Sequence, residues 1–360
     1  MKILFDHQAF DQRYGGVSRY HYELIKGLIF EKQEVDISTI FSECEYLLSD
    51  DSIKIINLLR KKKFKGRYRI NEILQSINQL YSIHKIRKGN YDIFHPTYYS
   101  PYFLKSLKKP FVVTVHDFVH EKFDGENYSE INNKKLMIQK ADKIIAISEN
   151  TKSDIISYYT VPIEKITVIY HGFKKLGNHS EIKNNYGNYI LFVGKRVEYK
   201  NFFRFLLAAS RIMHEDKTLR IVCTGFPFNK NELSYIDNLQ ISGRVVVVSA
   251  NEQLLNSLYK YAHVFVYPSL YEGFGMPILE AFANNCPICI SNTSCFPEIA
   301  TKAALYFDPY DVNSIYDAMK NILYNTHLRE DLIKAGQIRL LDFSWDKTVR
   351  ETMSVYKSLL

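Results

Sequence analysis

Residues 267–283 read YPSLYEGFGMPILEAFA. Their opening continues an apolar, β-branched run from 263 to 268, which predicts a buried strand ending at Pro268. A loop with Gly273 and Gly275 follows. Pro277 then stands where a helix would begin, a position for which its fixed φ is preset. The free N–H groups of a first helical turn, reinforced by the helix dipole, form a site for phosphate. Two glycines let a phosphate approach the backbone closely. Glu272 falls in the loop and Glu280 within the first helical turns. At that depth Glu280 repels a phosphate weakly, and it can accept two hydroxyl hydrogen bonds of the kind a ribose offers. The competing reading is a tight strand-to-helix turn with two solvated carboxylates. The order of strand, EGFGMP, helix and second glutamate favours the phosphate site.

The same alternation extends outward in both directions. Strands are expected at 2–6, 35–41, 91–95, 111–117, 143–148 and 166–170, then at 189–193, 219–224, 244–249, 263–268 and 287–291. Helical spacing separates them, as at 17–30, where Tyr20, Leu24 and Leu28 repeat, and at 201–214 and 252–261. This is the βαβ rhythm of parallel sheets covered on both faces. Between the two series, the polar segment 173–188 holds two glycines and four asparagines and reads as a linker. Two further helical patterns (311–324 and 327–341) precede a final helix in 344–360, where Asp346, Val349 and Met353 share a face behind Trp345. The expectation is α/β: two doubly wound, Rossmann-like domains at 1–180 and 181–343, with 344–360 crossing back to the first. Ligands of such sheets bind beyond the carboxyl ends of the strands, and here the expected site is the cleft between the domains.

A chain of 360 residues accommodates two such domains. Hydrophobic residues at 46% and charged residues at 24% are those of a globular protein, which excludes disordered and fibrous classes. No apolar run approaches the ~20 residues that cross a bilayer. The N-terminal MKILFDHQAF places Asp6 where a leader peptide needs apolar residues. The five cysteines are scattered, and Cys286 and Cys289 lie in an apolar run read as a buried strand, so a reducing cytoplasm is expected. The net charge of +8 is uneven. Residues 1–180 hold 28 Lys/Arg against 21 Asp/Glu; residues 181–360 hold 19 against 18. Arg60, Lys61, Lys62, Lys63, Lys65, Arg67 and Arg69 crowd seven cations into ten residues, with Phe64 and Tyr68 between them. That run suits an anionic membrane surface, a nucleic acid or plain solvent.

The Glu272-x7-Glu280 stretch resembles the donor-binding signature of retaining glycosyltransferases of family 4, which have the GT-B fold. The resemblance covers nearly the whole chain. Tyr14-Gly15-Gly16-Val17-Ser18-Arg19-Tyr20 is similar to the family's glycine-rich loop after the first strand. Thr114-Val115-His116-Asp117 resembles its strand ending in His-Asp. Val168-Ile169-Tyr170-His171-Gly172 is similar to the segment closing the first domain. Val193-Gly194-Lys195-Arg196, with Glu198, Lys200 and Asn201, resembles the pattern opening the second. Pro297-Glu298-Ile299 and Phe307-Asp308-Pro309 match later landmarks. Their order and spacing together are specific.

The resemblance implies hexose transfer from a nucleotide-sugar, GDP-mannose or a UDP-sugar, to a saccharide acceptor. That acceptor is expected to be polyprenyl-linked, in the biosynthesis of bacterial surface polysaccharide. Arg196 and Lys200, four apart at the start of an expected helix, can face one ligand. The resemblance has them neutralising the donor diphosphate, with Gly16, Gly273, Phe274, Gly275, Met276, Pro277 and Glu280 completing the donor site. The alternative for the two cations is a surface pairing with Glu198. His116 and Glu272 are implied on the catalytic side, His116 near the 6-hydroxyl of the donor sugar and Glu272 on the sugar hydroxyls near the reacting carbon. Gly15, Arg19 and Asp117 are candidates for acceptor or phosphate contact, and Asp117 either orients the His116 imidazole or fixes the loop. The implied chemistry is front-face substitution, with the leaving phosphate helping to deprotonate the acceptor. No DxD-type motif lies near the donor loop, so no metal and no cofactor are expected. For this family the basic run implies peripheral attachment to the cytoplasmic face of a membrane rather than nucleic acid. The competing functions are a nucleotide-sugar 2-epimerase of the same fold and a non-catalytic nucleic-acid-binding protein. A nicotinamide-dependent oxidoreductase is disfavoured because no G-x-G-x-x-G follows a strand.

Overall fold

The computed structural model describes residues 1–53, 55, 67–123, 128–174 and 186–360. They form two compact units, one of Met1–Gly172 with Ser344–Leu360, the other of Phe173–Phe343. The boundary falls at 172/173, ahead of the 180/181 expected from the sequence. The polar stretch behind that expectation lies largely at 175–185, outside the described residues. Among the described residues no helix is long and apolar enough to cross a membrane.

Among the described residues the first unit contains six parallel strands: β1 (Lys2–Phe5), β2 (Glu34–Ile37), β3 (Ile93–His95), β4 (Val112–Val115), β5 (Lys143–Ala146) and β6 (Ile166–Val168). They pair as β2-β1-β3 and β4-β5-β6, and a parallel bridge between Phe94 and Phe111 joins the two sets. β2 stops at Ile37, four residues before the expected end, where its partner β1 ends at Phe5; the Ser38 hydroxyl there donates to the Phe5 carbonyl at 3.1 Å. The final helix, Trp345–Lys357, begins behind Ser344, whose side chain accepts from the Lys347 N–H. It belongs to this unit's core: Val349, Met353, Val355 and Tyr356 pack with Phe5, Tyr20 and Leu24.

The second unit adds β7 (Tyr189–Phe192), β8 (Arg220–Thr224), β9 (Val245–Val248), β10 (Val264–Tyr267), β11 (Ile288–Ser291) and β12 (Leu305–Phe307), all parallel, in the order β12-β11-β10-β7-β8-β9. β12 was absent from the expected series: three residues are too short for a periodicity to show. Every residue of β7, β10 and β11 is buried, as both covered faces require. The helix Phe202–Glu215 buries Phe202, Phe205, Leu206, Ala209, Ile212 and Met213, one apolar stripe at helical spacing. It begins one residue later than expected, because Asn201 sits in the left-handed region at φ 57°.

Candidate functional site

In the second unit the strand order reverses between β7 and β10, so the loops leaving their carboxyl ends diverge and leave a crevice. Those two loops are tied directly, the Leu270 N–H donating to the Tyr199 carbonyl at 2.7 Å. Lys200, from the first loop, puts Nζ 2.5 Å from Glu272 Oε1 in the second. The ammonium also lies over the rings of Tyr199 and Tyr267, 5.3 and 5.2 Å from their centroids. Glu272 is fixed through its backbone, whose N–H donates to Ser294 Oγ at 3.1 Å, while the Ser294 hydroxyl donates back to its carbonyl at 2.6 Å. The phenol of Tyr267 is pushed well above its ordinary value by burial and by the Glu272 carboxylate. It therefore stays neutral and can only donate or accept a hydrogen bond.

The helix Met276–Ala283 starts directly behind this loop. Gly275 caps it at φ 92°, ψ 50°, a conformation suited to glycine. Pro277 occupies the second helical position. Phe274 is buried and packs edge-on against Phe343 at 5.8 Å, so its ring anchors the loop from within. Gly273 is likewise buried, and Met276 and Pro277 are half-buried. Glu280 is half-buried, with Oε2 accepting from the Tyr259 hydroxyl at 3.0 Å.

Arg196 departs from expectation. Arg196 and Lys200 both precede the helix, so the helical argument that they face one ligand does not hold. Nor does Arg196 pair with Glu198. Its Nε lies 2.7 Å from Glu232 Oε1, and Nη2 donates to the carbonyls of Phe226 (2.6 Å) and Pro227 (3.1 Å). Both side chains of the pair are at most 5% exposed. Glu232 also completes a capping box with Asn229 at the start of the helix Lys230–Asn238. Arg196 is thus a fixed cation behind β7 and β8, whereas Lys200 is the cation in the crevice. Gly225 permits this closeness: it takes φ 119°, and a Cβ there would lie 3.3 Å from the Gly194 carbonyl and 3.6 Å from Arg196 Nη1. Sequence reasoning missed Glu232, although its N-x-x-E capping pattern was visible. It also missed Ser294 and the role of Tyr267, whose contacts are long-range and leave no local signal.

In the first unit, His116 follows β4. Its backbone N–H donates to the Tyr99 hydroxyl at 3.0 Å, and its buried Nε2 has no hydrogen-bond partner. The ring lies edge-on to Tyr20 at 5.1 Å and within about 6 Å of the rings of His21 and His171. Burial lowers the pKa of His116 to about 4, so the imidazole is neutral. Asp117 accepts the Val119 N–H at 3.1 Å. Lys134, whose side chain is 4% exposed, donates to the Asp117 carbonyl and pairs with Glu121 at 2.9 Å. Gly16 opens the helix Gly16–Phe30, and a Cβ there would meet nothing within 4 Å. At Gly15 an added Cβ would crowd the Gln12 amide at 2.8 Å. Arg19 lies in the first turn of the same helix, its N–H donating to the Gly15 carbonyl. Asp6, at the end of β1, is fully buried and accepts from Thr97 N, Thr97 Oγ1, Gln8 and Tyr102, pinning the loops after β1 and β3. Sequence reasoning gave it no such part. Of the basic run, Arg60, Lys61, Lys62, Lys63 and Lys65 lie outside the described residues, and Arg67 and Arg69 fall on the first turn of the helix Arg67–Lys88. Among the described residues no three His, Cys, Asp or Glu side chains are grouped to hold a metal ion.

Two tandem doubly wound units, the second with a phosphate-type turn at its switch point, define the GT-B class. A glycosyltransferase structure from Rickettsia africae superposes with a TM-score of 0.73 over 99% of this chain and 98% of that one, at 18% identity. Anabaena HepE, in complex with UDP and glucose, superposes at 0.76 over 100% of both chains, at 14% identity. Residues 14–174 match the model of Glycosyltransferase Family 4, and residues 178–339 that of Glycosyl transferases group 1. The chain belongs to glycosyltransferase family 4. Its relatives include the O-antigen chain mannosyltransferase RfbU of Salmonella typhimurium, 34% identical over 52% of this chain and 53% of that one. The O-antigen chain mannosyltransferase B of Escherichia coli is 25% identical over 100% of both.

Proposed function

We propose that the protein transfers a hexose, with mannose from GDP-mannose as the leading case, to a saccharide acceptor carried on a polyprenyl lipid in the assembly of a bacterial surface polysaccharide. Two relatives named as O-antigen mannosyltransferases support that choice. The observation that carries the reading is the Lys200–Glu272 pair at the switch point of the second unit. A donor diphosphate seated at the amino end of the helix Met276–Ala283 would draw the Lys200 ammonium away from Glu272. The freed Glu272 carboxylate would then accept hydrogen bonds from the sugar hydroxyls. As the bond between the anomeric carbon and the diphosphate oxygen breaks, charge grows on that oxygen, and Lys200 stabilises it more in the transition state than in the ground state. Glu280 would hold the ribose hydroxyls. Arg196 supplies a fixed positive field and, held by Glu232, contributes mainly to the shape of the loop. His116, a neutral imidazole with an unpartnered nitrogen, is suited to a hydrogen bond with a sugar hydroxyl.

The reading includes retention of anomeric configuration by front-face substitution. The acceptor oxygen bonds to the anomeric carbon on the face the diphosphate leaves, and its proton passes to the departing phosphate oxygen. It includes activity without a metal, the cationic side chains and the helix amino end standing in for one. It also places the protein on the cytoplasmic face of the membrane, held there peripherally. The test is incubation of the protein with a polyprenyl-diphosphate saccharide and each of GDP-mannose, UDP-glucose, UDP-galactose and UDP-N-acetylhexosamines, in EDTA. One donor should be consumed, and NMR of the product should show the donor's own anomeric configuration. An inverted product, or activity that returns only with Mg²⁺ or Mn²⁺, overturns those parts of the proposal.

A further inference from the structure

The helix Tyr128–Lys140 of the first unit buries Lys134, Met137 and Ile138. At i, i+3 and i+4 these form one core-facing stripe, and a lysine fills a position suited to an aliphatic residue. Lys134 does not reach out to water. Its side chain is 4% exposed, and that of Glu121, its partner, is 2% exposed. The ammonium lies 2.9 Å from Glu121 Oε1, and the Tyr159 hydroxyl donates to the same oxygen at 2.7 Å. A buried ion pair is a poor source of stability, since well-packed apolar residues of similar volume often do as well or better. What such a pair can supply is a fixed geometry.

The groups that Lys134 holds surround His116. The ammonium donates to the carbonyl of Asp117, the next residue in the chain. It lies over the Phe118 ring, 4.3 Å from the centroid, and over the Tyr99 ring at 5.3 Å. The Tyr99 hydroxyl in turn accepts the His116 N–H at 3.0 Å. Glu121 belongs to the short helix Val119–Phe123 that follows the same loop. One side chain thus ties down Asp117, Phe118 and Glu121 on the carboxyl side of His116, together with the tyrosine that holds its backbone. The imidazole has no partner at Nε2, and its ring neighbours are Tyr20, His21 and His171. The backbone that carries the ring therefore has a large part in aiming it.

We propose that Lys134 is a positioning residue for sugar transfer: set among Asp117, Phe118, Tyr99 and Glu121, it holds the loop after β4 so that His116 presents its free Nε2 to a hydroxyl of the donor sugar. This rests on the reading of His116 given above and adds the group that aims it. The charge also keeps the imidazole neutral: burial lowers the His116 pKa to about 4, the Asp117 carboxylate opposes that, and the Lys134 ammonium adds to it. The test is a double-mutant cycle in kcat/KM for transfer to a polyprenyl-diphosphate saccharide from GDP-mannose, or from whichever of the UDP-sugars above the wild type consumes. Its arms are His116→Ala, the paired change Lys134→Met with Glu121→Gln, and all three together. The paired change removes both buried charges, so the melting temperature should stay near that of wild type. Its kcat/KM should fall about tenfold or more, the cost of a reacting geometry displaced by a fraction of an ångström. In the His116→Ala background the paired change should cost no more than about twofold, since the residue through which it acts is gone. Imidazole NMR of the paired variant should show His116 titrating above its wild-type value. Should the paired variant not fold, Lys134→Arg carries the same cycle, because the planar guanidinium keeps the charge but does not reproduce the ammonium's place on the Asp117 carbonyl. Equal losses in both backgrounds, or wild-type kcat/KM in the Lys134 variant, overturn the proposal and leave the reading of His116 standing. Wild-type kcat/KM in His116→Ala overturns that reading and this proposal with it, as does a wild type that transfers from none of these donors.

Discussion

Lys200 and Arg196 each carry one positive charge, and their surroundings give them different work. Arg196 and Glu232 are almost wholly buried, and breaking a buried pair leaves an uncompensated charge, which costs about 3–5 kcal/mol. Glu232→Gln is therefore expected to lower the denaturation midpoint strongly. Lys200 and Glu272 are 13% and 14% exposed and sit at the open end of the sheet. Lys200→Ala should cost less stability but about 100-fold or more in kcat, the usual loss for one donor to a developing anion. Parallel thermal melts and donor turnover decide it, and a Lys200→Ala enzyme with wild-type kcat would remove Lys200 from the chemistry. The histidines of the first unit make a pH prediction. Burial holds His95 at about 3 and His116 at about 4, and lowers His21 and His171 as well, all below the ordinary 6.5. A histidine whose pKa is lower folded than unfolded takes up a proton on unfolding, so stability falls as pH drops below about 6.5. For His116 the loss between pH 7 and pH 5 is about 2 kcal/mol. Trp345, the single tryptophan, stands 6.5 Å from His171 and 6.0 Å from Tyr20, so its emission reports on this unit. The urea midpoint read from it should fall clearly from pH 7 to pH 5; an unchanged midpoint would mean that the cluster titrates normally.

At the scale of the element, the turn after β10 shows what a sequence can disclose. Glu272, Gly275, Pro277 and Glu280 were legible together because a strand, a loop and a helix start are local features with local residue preferences. Gly275 needs its left-handed backbone, and an added Cβ would lie 3.1 Å from Ile278 Cδ1 and 3.3 Å from Phe296. Gly275→Ala should cost about 1–2 kcal/mol from backbone strain and raise the KM for donor. Gly16 is the control: its Cβ would meet open space at the first position of a helix. Gly16→Ala should leave stability unchanged or slightly higher, so any loss of turnover there reads ligand contact and not folding. The eleven expected strands were legible for the same reason as that turn, since parallel strands buried on both faces write continuous apolar runs. β12 was not, being three residues long. The partner of Arg196 was not legible either, because Glu232 is 36 residues away and Glu198 is two. Nor were Asp6, Tyr99 and Lys134, whose neighbours in space are distant in sequence. The outward side of the helix Arg67–Lys88 was not legible, because Ile73, Ile77 and Leu80 cannot be told from a core stripe until their exposure is known.

On the scale of the whole molecule, the chain leaves its first unit at Gly172 and returns to it at Ser344. That return is built into the first unit's interior. A Cβ on Gly172 would lie 2.4 Å from the Trp345 backbone nitrogen, and one on Gly27 would lie 2.3 Å from Val349 Cγ2. The Tyr356 hydroxyl sits 2.6 Å from His95 Nδ1, and Thr348 donates to the Tyr170 carbonyl at 2.8 Å. Removing residues 344–360 would expose the surfaces that Val349, Met353, Val355 and Tyr356 cover. At about 1.5–3 kcal/mol for each buried side chain, the loss is roughly 6–12 kcal/mol. That is comparable to the entire stability of a domain. The second unit is different: its strands, its buried cluster and the Lys200–Glu272 pair all come from Phe173–Phe343. A chain of residues 173–343 alone should therefore fold cooperatively and be stabilised by the donor nucleotide in a thermal melt. A chain ending at residue 343 should lose the Trp-free, far-UV-detected transition of its first unit while keeping that of its second. A chain of residues 1–172 should fold only when 344–360 is supplied, fused or in trans. If residues 1–172 alone melt cooperatively, the returning helix is an accessory and not a part of that unit's core.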